Sequence, residues 1–222
     1  MAAALTLVAT QAPAVTSIKN TKHDLSSGNT TSYSSSNYDE ICVFCHTPHK
    51  AVSQDNAPLW NRSGTGDITI ATYYNSTTLE SGVSNPASVA DNVLASDAPL
   101  CLSCHDGSSL TNELQNPSNL ANPTDPLEQP NNTNNISGFA NLDDGFTASA
   151  GVDLHDDHPI GMVYADVVTG DDSAEWHADP GLNFYNGIMW CSSCHDVHDN
   201  TYAPFLAADN AGSGLCLKCH DK

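Results

Sequence analysis

The eight cysteines of this 222-residue chain fall into four C-x-x-C pairs, and a histidine directly follows each pair. The segments are Cys42/Cys45/His46, Cys101/Cys104/His105, Cys191/Cys194/His195 and Cys216/Cys219/His220. Two thiols at this spacing match the two vinyl groups on one edge of a porphyrin, and the adjacent imidazole then reaches iron from the proximal side. Other chemistries also use paired cysteines. Zinc ribbons do, and Cys191 to Cys219 has roughly their spacing; redox dithiols are a further case. Neither requires a histidine after every pair, and with 10 His in the chain four chance placements are negligible. No cysteine is left over for a disulfide framework. The pattern therefore predicts four covalent haem c groups, with His46, His105, His195 and His220 as proximal iron ligands.

The sixth coordination position sets what such an iron does. Methionine raises the potential, histidine gives a filled lower-potential site, and an open position admits substrate. Six further histidines are present, His23, His49, His155, His158, His177 and His198, against Met162 and Met189 once Met1 is set aside. Four irons need four ligands, so bis-histidine ligation throughout is the economical reading. His49 and His198 each stand three residues after a proximal histidine, in CHTPH and CHDVH. On a short helical turn that spacing turns the second imidazole away from its own haem and toward a neighbouring one. His158 is held by the following Pro159, and His23 lies near the mature N-terminus. His155 and His177 read as solvated polar residues.

The elements that position these groups are sparse. Leu, Ile, Val and Phe together make only 42 of 222 residues, and the formal net charge is -20. That combination marks a disordered chain unless something other than side chains fills the core. The expected fold is mostly irregular coil with a few short helices, one at each C-x-x-C-H, around a core of stacked haems. The apo chain should then lack a fold, because ligand-binding free energy becomes folding free energy. A short strand is possible within Asp67 to Tyr74, Ser32 to Ser36 reads as loop, and the Pro- and Asn-rich stretch Asn116 to Asn135 excludes a helix or central strand. Sequons at Asn29, Asn61, Asn75 and Asn135 read as accidental.

The motifs divide the chain unevenly, with Cys42 to Cys101 spanning 59 positions, Cys101 to Cys191 90 and Cys191 to Cys216 only 25. The expected organisation is one tetrahaem domain over 15–222. Within it, 15–125 carries the first two haems, 126–189 is a long connection, and 190–222 is a pair of adjacent haems. Residues 1–14 read as a signal peptide truncated at its start, with an apolar run and Ala12-Pro13-Ala14 as cleavage site. The expectation is export, to the extracellular space or outer cell surface, with the periplasm as alternative. No later stretch approaches the ~18 apolar residues of a membrane span. With Lys+Arg 6 against Asp+Glu 26, nucleic acid and anionic membranes are disfavoured as partners. Cationic or metal-oxide partners are favoured.

Several segments carry a resemblance. KHDLS at His23, ICVFCHTPHKA around Cys42, APLWNR at Leu59-Trp60, LCLSCHDG around Cys101, DHPIG at His158, CSSCHDVHDN and GLCLKCHDK are similar to the exported multihaem cytochromes of metal-reducing bacteria. They resemble above all the OmcE-like tetrahaem filament cytochromes, over the whole chain. The resemblance implies four bis-histidine haems in a continuous row and polymerisation into an extracellular nanowire. It implies His23, His49, His158 and His198 as distal ligands, with His49 as the one that reaches a haem of the neighbouring protomer. Other exported cytochromes and extracellular acceptors such as metal oxides are the implied partners. Val197 departs from the family's usual Pro in CHDPH.

Three functions follow. The leading one is an electron conductor with no catalytic residue. The second is a soluble periplasmic shuttle with the same haems. The third, a multihaem reductase, needs a five-coordinate haem. Against it stand the surplus of histidine, the uniform C-x-x-C-H motifs and the scarcity of Lys and Arg to bind an anionic substrate.

Overall fold

The structure is a computed structural model. It describes residues 18–29, 33–35, 38–53, 59–62, 70–72, 91–107, 114–116, 127–128, 142, 152–154, 157–169 and 175–221. Residues 1–14, where a signal peptide is expected, His155, the sequons at Asn75 and Asn135, and most of Asn116 to Asn135 lie outside the described residues.

Coil dominates, as the composition requires. Besides a helical turn at 91–94, three short α-helices lie among the described residues: α1 over Ala98–His105, α2 over Tyr164–Val168 and α3 over Cys191–Cys194. Single 3-10 turns cover Cys42–Phe44, Ala211–Ser213 and Cys216–Lys218. Three of the C-x-x-C-H segments start a helical turn, closed by the histidine N–H donating to the first cysteine's carbonyl at 2.8 Å for His46, 3.1 Å for His195 and 3.0 Å for His220, whereas the second, Cys101 to His105, ends α1. Only α1 is longer, and Pro99 in its first turn suits a position where no N–H partner exists. No described helix is long and apolar enough to cross a membrane.

Two minimal ladders are formed among the described residues. β1, Ser34–Ser35, pairs antiparallel with β3, Leu127–Glu128. β2, Ile70–Thr72, pairs parallel with β4, Val152–Asp153. β2 lies within the strand expected from Asp67 to Tyr74, whereas Ser34–Ser35 corrects the loop reading of Ser32 to Ser36. The correction has a tertiary cause, since a serine run carries no strand propensity of its own. The Ser35 N–H donates to the Leu25 carbonyl at 2.8 Å and its side chain lies buried.

Among the described residues the apolar interior is split into three small clusters, and each lies against a haem-motif cysteine. Tyr38 and Phe44 pack with Cys45 and Cys104. Val93, Ala98, Leu102, Val152 and Leu154 pack with Cys191. Met162, Tyr164, Val167, Met189 and Cys219 form the third. A domain of this size ordinarily has one contiguous core. Here the clusters sit around the motif segments, and both candidate methionines are buried packing residues.

Candidate haem-binding site

None of the eight cysteines is in a disulfide. Among the described residues no group of three or more His, Cys, Asp and Glu side chains converges as a metal shell. The four-ligand arrangement that a zinc ribbon needs is therefore not assembled there.

The motif segments are cross-linked by contacts distant in sequence. Asn61, fully buried, grips the first loop: its N–H donates to the Cys45 carbonyl at 2.9 Å and its Nδ2 to the Val43 carbonyl at 2.6 Å. Its Oδ1 accepts the Asn116 N–H at 2.9 Å, and its carbonyl accepts the Gln115 N–H at 2.8 Å. Asn61 is thus a packed structural residue and no glycan acceptor. Asn61→Ala removes these two side-chain hydrogen bonds and a third, from Nδ2 to the Asn116 carbonyl at 3.3 Å, from a buried site, and a loss of about 2–4 kcal/mol is expected. Denaturant unfolding of the haem-loaded protein checks it. Asp97, just before α1, accepts the N–H groups of Cys191 at 3.1 Å and Ser192 at 2.9 Å. It caps α3 and so ties the second motif to the third. In the C-terminal unit, the His177 N–H donates to the Cys219 carbonyl at 2.9 Å and the Asp221 N–H to the Glu175 carbonyl at 2.8 Å. This strap lays Trp176 against His220, ring centroids 4.4 Å apart.

The histidines form pairs that cross the chain. His23 faces His105 with centroids 6.1 Å apart and planes at 81°. His198 faces His46 at 6.2 Å and 21°. His158 faces His220 at 6.4 Å and 75°. Each pair joins one proximal candidate to one distal candidate. Two metal–imidazole bonds of about 2.0–2.1 Å, plus about 1.1 Å from ring nitrogen to centroid on each side, give about 6.2 Å. The three gaps therefore fit an iron between the rings. His198 turns away from the motif that precedes it and meets the first motif instead. Phe205, which sequence reasoning passed over, stacks on His23 at 4.5 Å. Burial lowers His23 to about 4, helped by positive charge on His105, His195 and His198. At neutral pH it is an uncharged imidazole with a free lone pair, the form that binds metal.

Among the described residues, neither His195 nor His49 has a ring partner. His195 ends α3 in extended backbone and is exposed. His49 is exposed on a pinned loop. Its carbonyl accepts Thr47 Oγ1 at 3.0 Å and Asn116 Nδ2 at 3.3 Å, and Lys50 next to it has φ +55°. His177 is also exposed, its carbonyl accepting the Tyr164 hydroxyl at 2.6 Å.

Buried polar atoms without partners supply a second test of fit. The indole N–H groups of Trp60, Trp176 and Trp190 are buried with no acceptor. Trp60 lies edge-on to His46 at 6.0 Å, Trp176 lies on His220, and Trp190 immediately precedes Cys191. Such orphaned donors call for an acceptor. Haem carries two carboxylates, so the donor set suits it.

Residues 186–222 match the family model described as the doubled CXXCH motif. No curated protein matches the chain. The matched segment covers the third and fourth motifs, and it is the motif of multihaem c-type cytochromes. Four such segments and a coil fold organised around them point to covalently held haem c and suggest a multihaem electron-transfer cytochrome.

Proposed function

We propose that the chain carries four bis-histidine haem c groups in one tetrahaem domain over 15–222. We propose further that it polymerises outside the cell into a filament that conducts electrons to extracellular acceptors such as metal oxides. One observation carries the reading. Three proximal histidines face distal ones at iron-spanning distance, while exposed His195 and exposed His49 remain unmatched among the described residues. An odd pair of this kind is completed by a second copy: His49 of one protomer faces His195 of the next. Haem iron supplies one-electron exchange without bond making. The residues supply spacing, orientation and potential. No side chain is assigned a catalytic role. Export is part of this reading, since polymer and acceptor lie outside the cell.

The ring angles make the ligation testable. Iron between nearly parallel imidazoles has well-separated dxz and dyz orbitals and gives a rhombic low-spin ferric signal. Crossed imidazoles leave those orbitals nearly degenerate and give a strongly anisotropic one. The His46–His198 pair, at 21°, predicts the first kind, and the pairs at 81° and 75° predict the second. Electron paramagnetic resonance of the oxidised protein should show both, in a ratio of one to two before the fourth site is counted. A substantial high-spin signal from intact protein would instead favour an open iron and a reductase. Light scattering on secreted material separates polymer from shuttle. Polymeric mass fits the filament, and a monodisperse monomer in the periplasm fits the shuttle.

A further inference from the structure

Arg62 is the only arginine in a chain of net charge -20, and it is buried at 1% exposure. Its Nη2 donates to the Ser103 carbonyl, inside the second C-x-x-C loop, at 3.0 Å. Its neighbour Asn61 holds the first loop through the Val43 and Cys45 carbonyls. The dipeptide thus spans the first two motifs, and the guanidinium acts electrostatically on both the Cys45 and Cys104 sulfurs. Its Nε is buried with no acceptor. No carboxylate forms an ion pair with it among the described residues. A buried cation left in this state is costly, so its surroundings must supply an anion. Lys218, the basic residue beside the fourth motif, is only half-buried, so water screens its charge.

We propose that Arg62 binds a carboxylate of a haem attached at the first two motifs and raises the reduction potentials of that pair above those of the other two. This rests on the reading of haem at Cys42/Cys45 and Cys101/Cys104. Reduction of each iron from ferric to ferrous adds one electron and changes no bond or proton. The external reductant of the titration supplies the electron. A nearby buried positive charge favours the more electron-rich state, and the bound carboxylate offsets only part of it. Arg62 is a positioning and tuning residue that acts through the haem carboxylate.

The test uses the haem-loaded protein. In a spectroelectrochemical titration Arg62→Gln should shift half of the titrating absorbance to lower potential. The ferric-to-ferrous constant should fall about tenfold, as expected for a unit charge some 10 Å away at an effective dielectric constant of about 20. For a one-electron couple that is about 59 mV. Arg62→Lys, which keeps the charge, should restore most of the shift. A fully loaded Arg62→Gln protein with unmoved potentials would overturn the proposal and leave Arg62 a packing residue. Wild-type protein made with heavy-isotope-labelled arginine provides the second measurement. Because the chain has one arginine, the label reports Arg62 alone. Its guanidinium bands should shift in the reduced-minus-oxidised infrared spectrum, and insensitive bands would overturn the proposal even if Arg62→Gln fails to accumulate. Mass of the intact protein reports haem number separately. Absence of haem from the first two motifs is therefore distinguishable from presence of haem with an indifferent arginine.

Discussion

Chain made without haem attachment is expected to be unfolded, with no cooperative melt by circular dichroism. The expected loss is the whole stability of a domain, about 5–15 kcal/mol. The reason lies in how the interior is divided. Tyr38 with Phe44, the Val93–Leu102–Leu154 group and the Met162–Val167–Met189 group are separate clusters, each too small to offset the entropy of ordering its segment. The elements between them are turns of three to eight residues and two-residue ladders. Isolated helices of that length are unstable in water. Trp60, Trp176, Trp190 and Arg62 would each keep a buried, unsatisfied N–H donor. The thiols add a kinetic argument. Burial pushes Cys45 up to about 12 and Cys104 upward as well, so in the closed chain both would be inert thiols. Thiolate is the reactive form. Attachment is therefore expected on an open chain, with folding after it. A cooperative melt of haem-free chain would contradict this, as would protection of Cys45 from alkylation at mild pH.

The second large effect is expected from His49→Ala. The variant should keep four haems and fold as a monomer, while sedimentable filament disappears. The drop should exceed the about 10–100-fold cost usual for losing a mere second-shell partner of a metal ligand. The loop that carries His49 is fixed through its backbone, by Thr47 and Asn116, and its ring makes no ring contact among the described residues. Removing the imidazole therefore leaves intramolecular packing intact. It also leaves the haem at His195 short of one ligand, and added imidazole should convert that site to low spin without restoring polymer. Normal filaments from the variant would remove the inter-protomer role. Loss of haem in addition to filament would assign His49 to folding instead.

Sequence reasoning reached the chemistry more fully than the geometry. The four C-x-x-C-H segments name their cofactor because thioether spacing and adjacent ligation are local properties. The coil-rich fold was readable from the shortage of aliphatics. His23, His158 and His198 are singled out by local motif, yet their pairing with His105, His220 and His46 is not. Those pairings depend on Phe205 stacking on His23, Asp97 capping Cys191 and the Trp176 strap on His220, contacts with no local signature. Ser34–Ser35 was taken as loop because its strand exists only through Leu25 and Leu127. Arg62 carried a usable signal that went unread. A lone arginine beside Trp60 and Asn61, in so acidic a chain, is a buried cation waiting for an anion.

Electron cryo-microscopy of material sheared from the outside of expressing cells tests the central claim most directly. The expected result is a filament with four haems per protomer in one continuous row. His46–His198, His105–His23 and His220–His158 should hold three irons, and His49 of the adjacent protomer should hold the iron at His195. Discrete particles, with all haem protein retained in the periplasm and His195 ligated from its own chain, would contradict the filament and identify a soluble electron shuttle.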